Sequence, residues 1–316
     1  MLSRSPGGTG RILAILSAAL LFWAWVAPAA AQPASGKESP EQVCAGCHED
    51  YVAGYAASKH GVTADARTPA SKGSCLACHG QGALEHAKQG GGKGVGGIFS
   101  FSDPKVPAET KAAVCLDCHQ SGPRVNWQLS SHATNDVACS SCHSVHSGDK
   151  DKVRIKATQF QVCGSCHKTQ RAQINYPSHH PIKEGKVVCS SCHEPHGSVG
   201  PNMLKKETVN ETCYGCHTEK RGPLLWEHPP VRESCVNCHT PHGSINAPLL
   251  KARAPWLCQE CHSAQFHPST LYSGTGLPPA AQPGGTAAQQ LLARSCLNCH
   301  TQVHGSNHPS GPRWTR

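Results

Sequence analysis

The sequence predicts a fold of short α-helices joined by irregular chain, with little β structure. Three observations carry this prediction. The 24 prolines and 31 glycines among 316 residues interrupt any long helical or alternating pattern. Aromatic side chains make up only 5% of the chain, which is little material for a protein core. All 20 cysteines fall within ten Cys-x-x-Cys-His pentads, so the core is expected to form around whatever those pentads hold.

The pentad is the attachment signal for c-type haem. Its two thiols add to the two vinyl groups of one porphyrin, and the histidine that follows them binds the iron. The cysteines are Cys44, Cys47, Cys75, Cys78, Cys115, Cys118, Cys139, Cys142, Cys163, Cys166, Cys189, Cys192, Cys213, Cys216, Cys235, Cys238, Cys258, Cys261, Cys296 and Cys299. The pentad histidines are His48, His79, His119, His143, His167, His193, His217, His239, His262 and His300. The sequence therefore predicts ten covalently bound haem c groups, and a multihaem cytochrome c fold.

Three other uses of paired cysteines compete with this interpretation: zinc knuckles, thioredoxin-like redox pairs and a disulfide scaffold. None of them requires a histidine directly after the second cysteine. A redox pair would also occur once, inside a βαβ pattern that this sequence lacks. The tenfold recurrence of the complete pentad favours haem over all three.

Residues 1–31 are predicted to be a secretory signal peptide, which leaves residues 32–316 as the decahaem cytochrome domain. Arg4 and Arg11 lie in a basic N-terminal region, and an apolar run follows from Ile12 to Val26. Small residues up to Ala31 then form the cleavage site. The alternative is an uncleaved anchor. The apolar run of about 15 residues is shorter than the roughly 20 that span a membrane, which favours the signal peptide.

The formal net charge of +9 would ordinarily suggest a nucleic-acid partner. Without the two arginines of the signal peptide, 27 basic and 20 acidic side chains remain. Each ferric haem with two ionised propionates adds a charge of about −1. The mature protein with its haems is then near neutral or acidic. We therefore expect no nucleic-acid partner, and we assign the basic side chains to propionates and solvent.

The pentads group into five dihaem repeats, most of which recur about every 50 residues. The repeats are about 44–86, 115–146, 163–196, 213–242 and 258–304. Two stretches interrupt the spacing, the glycine-rich segment from Gly90 to Gly97 and the segment from Ser273 to Ala288, and both are expected to be flexible loops.

The sixth ligand of each iron must come from outside the pentads, where twelve histidines remain. Taking two from each repeat predicts ten ligands: His60, His86, His132, His146, His180, His196, His228, His242, His267 and His304. Two choices stay open at this point, His179 in place of His180 and His308 in place of His86. Met203 is the one methionine of the mature chain, so bis-histidine, low-spin and low-potential haems are expected.

The distance that a short peptide can span decides which haem some of these histidines can bind, which we call the reach argument. Three residues span at most about 10 Å, which is too short to place two imidazoles on opposite faces of one iron. His146, His196 and His242 each follow a pentad histidine by three residues, so each must serve a neighbouring haem. The expected result is a linear array of ten haems. Every iron has two ligands and we expect no catalytic residue, which favours an electron carrier over a multihaem nitrite or hydroxylamine oxidoreductase.

The mature chain resembles the periplasmic decahaem cytochromes of the MtrA, DmsE and PioA type. The resemblance rests on ten pentads in about 300 residues, on the SKHG sequence at Ser58 to Gly61, and on the recurrent CHxPHGS. It implies a protein of the periplasm, associated with the outer membrane inside a β-barrel of the MtrB type. It also implies electron exchange with an outer-surface multihaem cytochrome or an extracellular acceptor or donor, and with periplasmic or inner-membrane c-type cytochromes. Extracellular metal reduction and iron oxidation both stay open, as does a soluble periplasmic shuttle without a barrel.

Overall fold

The computed structural model describes residues 38–148, 150–262, 296–309 and 311–314, and those from Ser39 onward belong to one compact unit. The predicted signal peptide, His267 and the predicted loop from Ser273 to Ala288 lie outside the described residues. The helices are α1 (Pro40–Ala56), α2 (Pro69–Lys72), α3 (Leu76–His79), α4 (Gly82–Lys88), α5 (Ala108–Leu116), α6 (Ser131–Thr134), α7 (Lys156–Cys163), α8 (Lys168–Gln173), α9 (Cys189–Cys192), α10 (Val209–Tyr214), α11 (Pro229–Glu233) and α12 (Trp256–Gln259). The strands are β1 (Ser178–His179) and β2 (Gly243–Ser244). Short helices and little β structure were predicted, and both are confirmed.

The helices are short, and local signals set their bounds. Helix α1 begins at a capping box, in which Ser39 Oγ accepts from the Gln42 N–H and the Ser39 N–H donates to the Gln42 side chain. Helix α10 begins after Thr208, whose hydroxyl accepts from the Glu211 N–H at 3.1 Å. Among the described residues, no helix is both long and apolar enough to span a membrane.

Each pentad closes into a single helical turn. In the nine pentads from Cys75 onward, the histidine N–H donates to the carbonyl of the first cysteine at 2.8–3.0 Å. Helices α5, α7 and α10 deliver the first pentad of the second, third and fourth repeats, while 3₁₀ turns or the one-turn helix α9 deliver the second. One turn brings the two thiols and the imidazole to the same side of the chain, as one porphyrin requires.

Backbones of neighbouring repeats contact each other at the glycine that follows the second histidine of the recurrent CHxPHGS. Strands β1 and β2 pair antiparallel, with Ser178 opposite Ser244 and His179 opposite Gly243. A Cβ on Gly243 would collide with the backbone of Gln173 in the preceding repeat. The glycine is needed there because the two backbones approach too closely for any side chain.

The glycine-rich segment from Gly90 to Gly97 differs from its predicted form. A 3₁₀ turn over Val95–Gly97 packs against α4 instead of extending as a flexible loop. Gly96 has a φ of +70°, and a Cβ there would collide with the backbone at His86. Small residues thus let this segment lie directly on the helix that carries His86.

The side chains of the described residues form only a small core. Seven apolar residues are buried and three of these are alanines, the larger ones being Tyr55, Trp127, Ile174 and Val188. Several large apolar side chains are instead exposed to solvent, and Leu129 is 88% exposed. A protein of this size normally buries much more of its apolar surface, so a further apolar component must complete the core.

Candidate haem sites

Histidines outside the pentads lie beside pentad histidines in nine ring pairs. The ring centroids in these pairs are 5.8–6.5 Å apart. The pairs are His48–His86, His60–His119, His79–His146, His132–His167, His143–His196, His180–His217, His193–His242, His228–His262 and His239–His304. Every pair joins one pentad histidine to one other histidine, and no histidine is used twice. Chance aromatic packing would not sort the rings in this way.

The ring separation fits an iron between the two rings. A bond from a metal to an imidazole nitrogen is about 2 Å, and the ring centre lies about 1 Å behind that nitrogen, so two axial imidazoles have centroids about 6 Å apart. Two imidazoles are present at each of these places to bind an iron, and the two thiols of the pentad are present to attach the porphyrin, as haem c requires. Together with the small core, this arrangement fits the group that the pentads predict.

Eight of the nine pairs connect adjacent repeats. His60 of the first repeat lies beside His119 of the second, and His146 of the second lies beside His79 of the first. The same exchange occurs at each of the next three boundaries. Only His48–His86 lies within one repeat. The histidines that the reach argument excluded from their own haems lie against the second pentad of the preceding repeat.

The structure bears on the two open ligand choices. His180 lies beside His217, whereas the Nδ1–H of His179 donates to the Tyr176 carbonyl at 2.5 Å and its Nε2 lies 3.3 Å from Glu184. His86 lies beside His48, on the helix α4 that the glycine-rich segment supports.

His300 of the tenth pentad is described, and its Nδ1–H donates to the Arg313 carbonyl at 2.6 Å.

Backbone carbonyls orient six of the eighteen paired rings through their Nδ1 atoms. A carbonyl can only accept, so these rings carry their proton on Nδ1 and leave Nε2 free to bind a metal. The donor and acceptor pairs are His79 to Phe99, His132 to Pro195, His180 to Pro241, His193 to Asn202, His228 to Val303 and His239 to Pro248.

Pro195 and Pro241 are functional residues that sequence reasoning missed. Each precedes the last histidine of a repeat, and each accepts from a histidine of the preceding repeat. The recurrence of CHxPHGS was the available signal. It marks a carbonyl acceptor as well as a ligand.

The cysteines of consecutive pentads lie close together. In the second, third and fourth repeats the two first cysteines share a hydrogen bond, which raises the pKa of the earlier thiol and lowers that of the later one to about 7. Burial, followed by the neighbouring thiolate, raises the pKa of the first cysteine in the first and fifth repeats to about 11. Second cysteines meet across repeat boundaries: burial and then Cys118 raise the pKa of Cys78, and burial and then Cys166 raise that of Cys142.

Several ring-paired histidines are held in the neutral form. Burial, the largest cause in each case, lowers the pKa of His60, His119, His146, His228, His242 and His304. Neutral imidazole is the form that binds a metal, so burial favours ligation.

The cysteines form no disulfides. All 20 cysteines are described and all are free thiols, so the structure contains no disulfide scaffold. Across the described ranges, no three His, Cys, Asp or Glu side chains converge on a point where zinc could bind.

Comparison with known proteins agrees with the haem chemistry. The family described as "Doubled CXXCH motif" matches residues 179–222 and 228–267, and "Cytochrome c-type protein NrfB-like" matches residues 75–159. Multiheme cytochrome MtrA of Shewanella baltica (strain OS185) is 47% identical over 285 residues, which cover 88% of this chain and 82% of that protein. The chain belongs to the MtrA family of multihaem c-type cytochromes, and it is an electron carrier that holds haem c covalently through its pentads.

Proposed function

We propose that the chain is a ten-haem conductor that passes electrons between periplasmic cytochromes and the cell exterior from within an outer-membrane β-barrel. The observation that carries the proposal is the set of nine ring pairs, each joining a pentad histidine to another histidine at about 6 Å. An electron carrier without a substrate site needs every iron closed by two ligands, and the nine pairs would supply both ligands to nine irons.

In the proposed ligation, each pentad holds one haem by two thioethers and one imidazole, and the histidine paired with it supplies the second imidazole. His267 would complete the tenth site with His300, because it is the predicted ligand that remains. Bis-histidine ligation lacks the thioether ligand that raises the potential of cytochromes c, so the haems are low-spin and of low potential. Such haems exchange electrons without binding a substrate.

The order of the haems follows the order of the pentads. Within each repeat the two first cysteines lie together, and across the first two boundaries Cys78 lies near Cys118 and Cys142 near Cys166. Cys238 and Cys261 approach each other in the same way at the last boundary. Because each cysteine fixes one edge of a porphyrin, contacts that alternate within and between repeats support a linear array.

A propionate partner can be named at the third haem. Arg124 lies close enough to His119 for its charge to contribute to the lowered pKa of that imidazole, after burial and the charge of His60. Its Nε is buried without a hydrogen-bond partner. A guanidinium with a buried, unused Nε–H donor suits a propionate of the haem on Cys115 and Cys118.

The position in the outer membrane rests on the MtrA family relationship and on the linear array. An insulated row of haems can cross a membrane only inside a protein shell, which a β-barrel of the MtrB type would supply. The array could conduct in either direction, for extracellular metal reduction or for iron oxidation. The free energy difference between donor and acceptor sets the direction.

Reconstitution tests this role. The chain and an MtrB-type barrel are inserted together into liposomes that enclose a redox dye, and a reductant is added outside. We expect rapid bleaching of the dye with both proteins and none with the barrel alone. If the two proteins together bleach the dye no faster than the barrel alone, the transmembrane role is wrong. Co-purification of the barrel with the chain checks that the complex has formed.

A further inference from the structure

One ring pair differs from the others in what its Nδ1 atoms contact. His143 donates to Asp151 Oδ2 at 2.7 Å, and His196 donates to Glu194 Oε1 at 2.8 Å. These two histidines form one pair, with centroids 6.1 Å apart and ring planes 11° apart. Both axial imidazoles of the fourth haem therefore donate to carboxylates, whereas backbone carbonyls accept from six of the other sixteen paired rings.

The two carboxylates are shielded from water and from compensating charge. The Asp151 side chain is 10% exposed and that of Glu194 is 19% exposed. The second oxygen of Asp151 is buried without a hydrogen-bond partner. In the described part of the chain, neither carboxylate forms an ion pair with a lysine or arginine. Their negative charge therefore acts mainly on the two imidazoles and on the iron between them.

Two other histidine and carboxylate contacts do not have this character. Glu219 lies 3.8 Å from His217, beyond hydrogen-bond distance, and both side chains are more than half exposed. Glu184 lies 3.3 Å from His179, which is not a ring-paired histidine. The opposite extreme is His86, whose Nδ1 is buried without any partner.

A carboxylate at Nδ1 makes an imidazole a stronger electron donor to its metal. Such hydrogen bonds are roughly twice as strong as those to neutral acceptors. A ferric iron carries one more positive charge than a ferrous iron, so both the added ligand basicity and the nearby negative charge favour the ferric state. Two carboxylates that accept from the two ligands of one iron act in the same direction, so their effects on its reduction potential should add.

We propose that Asp151 and Glu194 hold the reduction potential of the haem bound by His143 and His196 below that of the other nine. This inference rests on the proposed ligation. Electrons passing along the array meet an uphill step at the fourth of the ten haems. Asp151 and Glu194 act through the axial ligands, so they tune the iron without touching it.

The test compares Asp151→Asn and Glu194→Gln with the wild-type holoprotein. Both substitutions keep side-chain volume and a carbonyl oxygen that can accept from Nδ1, so they remove the charge alone. Glu184→Gln is the matched control, because it makes the same change at a histidine outside the ring pairs. Each protein is titrated potentiometrically while the low-spin ferric signal is followed by electron paramagnetic resonance. Mass spectrometry verifies that ten haems are attached.

In the wild-type titration, one tenth of the haem should be reduced last, at the lowest potential. We expect the midpoint potential of this component to rise in either variant. At a fixed potential in that range, the ferric to ferrous ratio of this component should fall about tenfold, which is about 59 mV for a one-electron couple. The double variant should shift further, and Glu184→Gln should match the wild type.

If both variants keep ten low-spin haems and their titrations superimpose on the wild type, the inference is wrong while the proposed ligation stands. High-spin haem in the wild-type protein would instead refute the ligation. Glu194→Gln, at the more exposed of the two carboxylates, provides a second measurement that does not depend on the folding of the Asp151→Asn protein.

Discussion

Replacing His180 by alanine should open one of the ten proposed irons, and the adjacent His179 offers a matched control. His180 lies 6.2 Å from His217, centroid to centroid, and its Nδ1–H donates to the Pro241 carbonyl. The other eight ring pairs do not include it. In the proposed ligation, His180→Ala therefore removes the sixth ligand from the haem on Cys213 and Cys216, and leaves the other haems with both ligands.

The expected magnitude is one haem in ten. In the reduced protein, carbon monoxide should bind one site per ten haems, and the ferric spectrum should gain a high-spin component of one tenth of the total. The wild type and His179→Ala should show neither. Added imidazole should restore the low-spin spectrum of His180→Ala, because it occupies the position that the side chain left.

One competing event must be controlled. His179 is next in the chain and could move into the vacant position, at the expense of its bonds to Tyr176 and Glu184. The double substitution of His179 and His180 by alanine removes that route. The ligand assignment is wrong if the double variant stays fully low-spin, or if His179→Ala alone creates the high-spin component.

Four further outcomes follow from the same geometry. Electron paramagnetic resonance should resolve two classes of low-spin ferric haem. Three ring pairs have planes 53–73° apart, whereas the other six have planes 10–24° apart. A single class would contradict these ring orientations. Gly197→Ala should lower the free energy of unfolding by about 1–3 kcal/mol, because φ is +106° there and a Cβ would meet the Asn126 carbonyl, whereas Gly46→Ala in α1 should not destabilise the protein. Asn210→Ala should lower the free energy of unfolding, measured by urea denaturation, by about 2 kcal/mol, because the buried Asn210 accepts from the part-buried Cys235 N–H of the second pentad in the fourth repeat. Asn237→Ala, at an exposed bond, should lower it by less than about 1 kcal/mol. Chain made without haem attachment should show a disordered circular dichroism spectrum, since so few side chains are buried; a folded spectrum would contradict a porphyrin core.

Local rules made part of this protein predictable from its sequence. The pentad is a covalent rule that acts within five residues, so it identifies the attachment sites without any knowledge of the fold. The reach argument uses the same local geometry. It excludes the haem on His143 as the partner of His146, but it cannot name His79, because that contact depends on how two repeats pack.

Long-range features could not be predicted for the same reason. Asp151 stands eight residues after His143 in a stretch without a recurrent pattern, and only the folded chain brings its carboxylate to that ring. The glycines near residue 96 predicted a loop, because the sequence does not show that they pack on α4. Sequence thus identifies the donors, while packing decides which donors meet.

The exchange of histidines between repeats explains why His86 stands seven residues after its pentad histidine, His79, whereas the internal repeats place their last histidine three residues after theirs. Each internal repeat places one histidine beside a pentad of the preceding repeat and one beside a pentad of the following repeat. Among the five repeats, the first has no neighbour on its N-terminal side, so its last histidine turns back to its own first pentad. Three residues cannot make that connection, and a separate helix, α4, carries His86 to His48 instead. The departure from the repeat pattern is therefore what the pattern requires at its end. In the proposed ligation, haem binding and the docking of repeats would be one event, which would couple neighbouring repeats more tightly than the surface contacts of an ordinary repeat protein do.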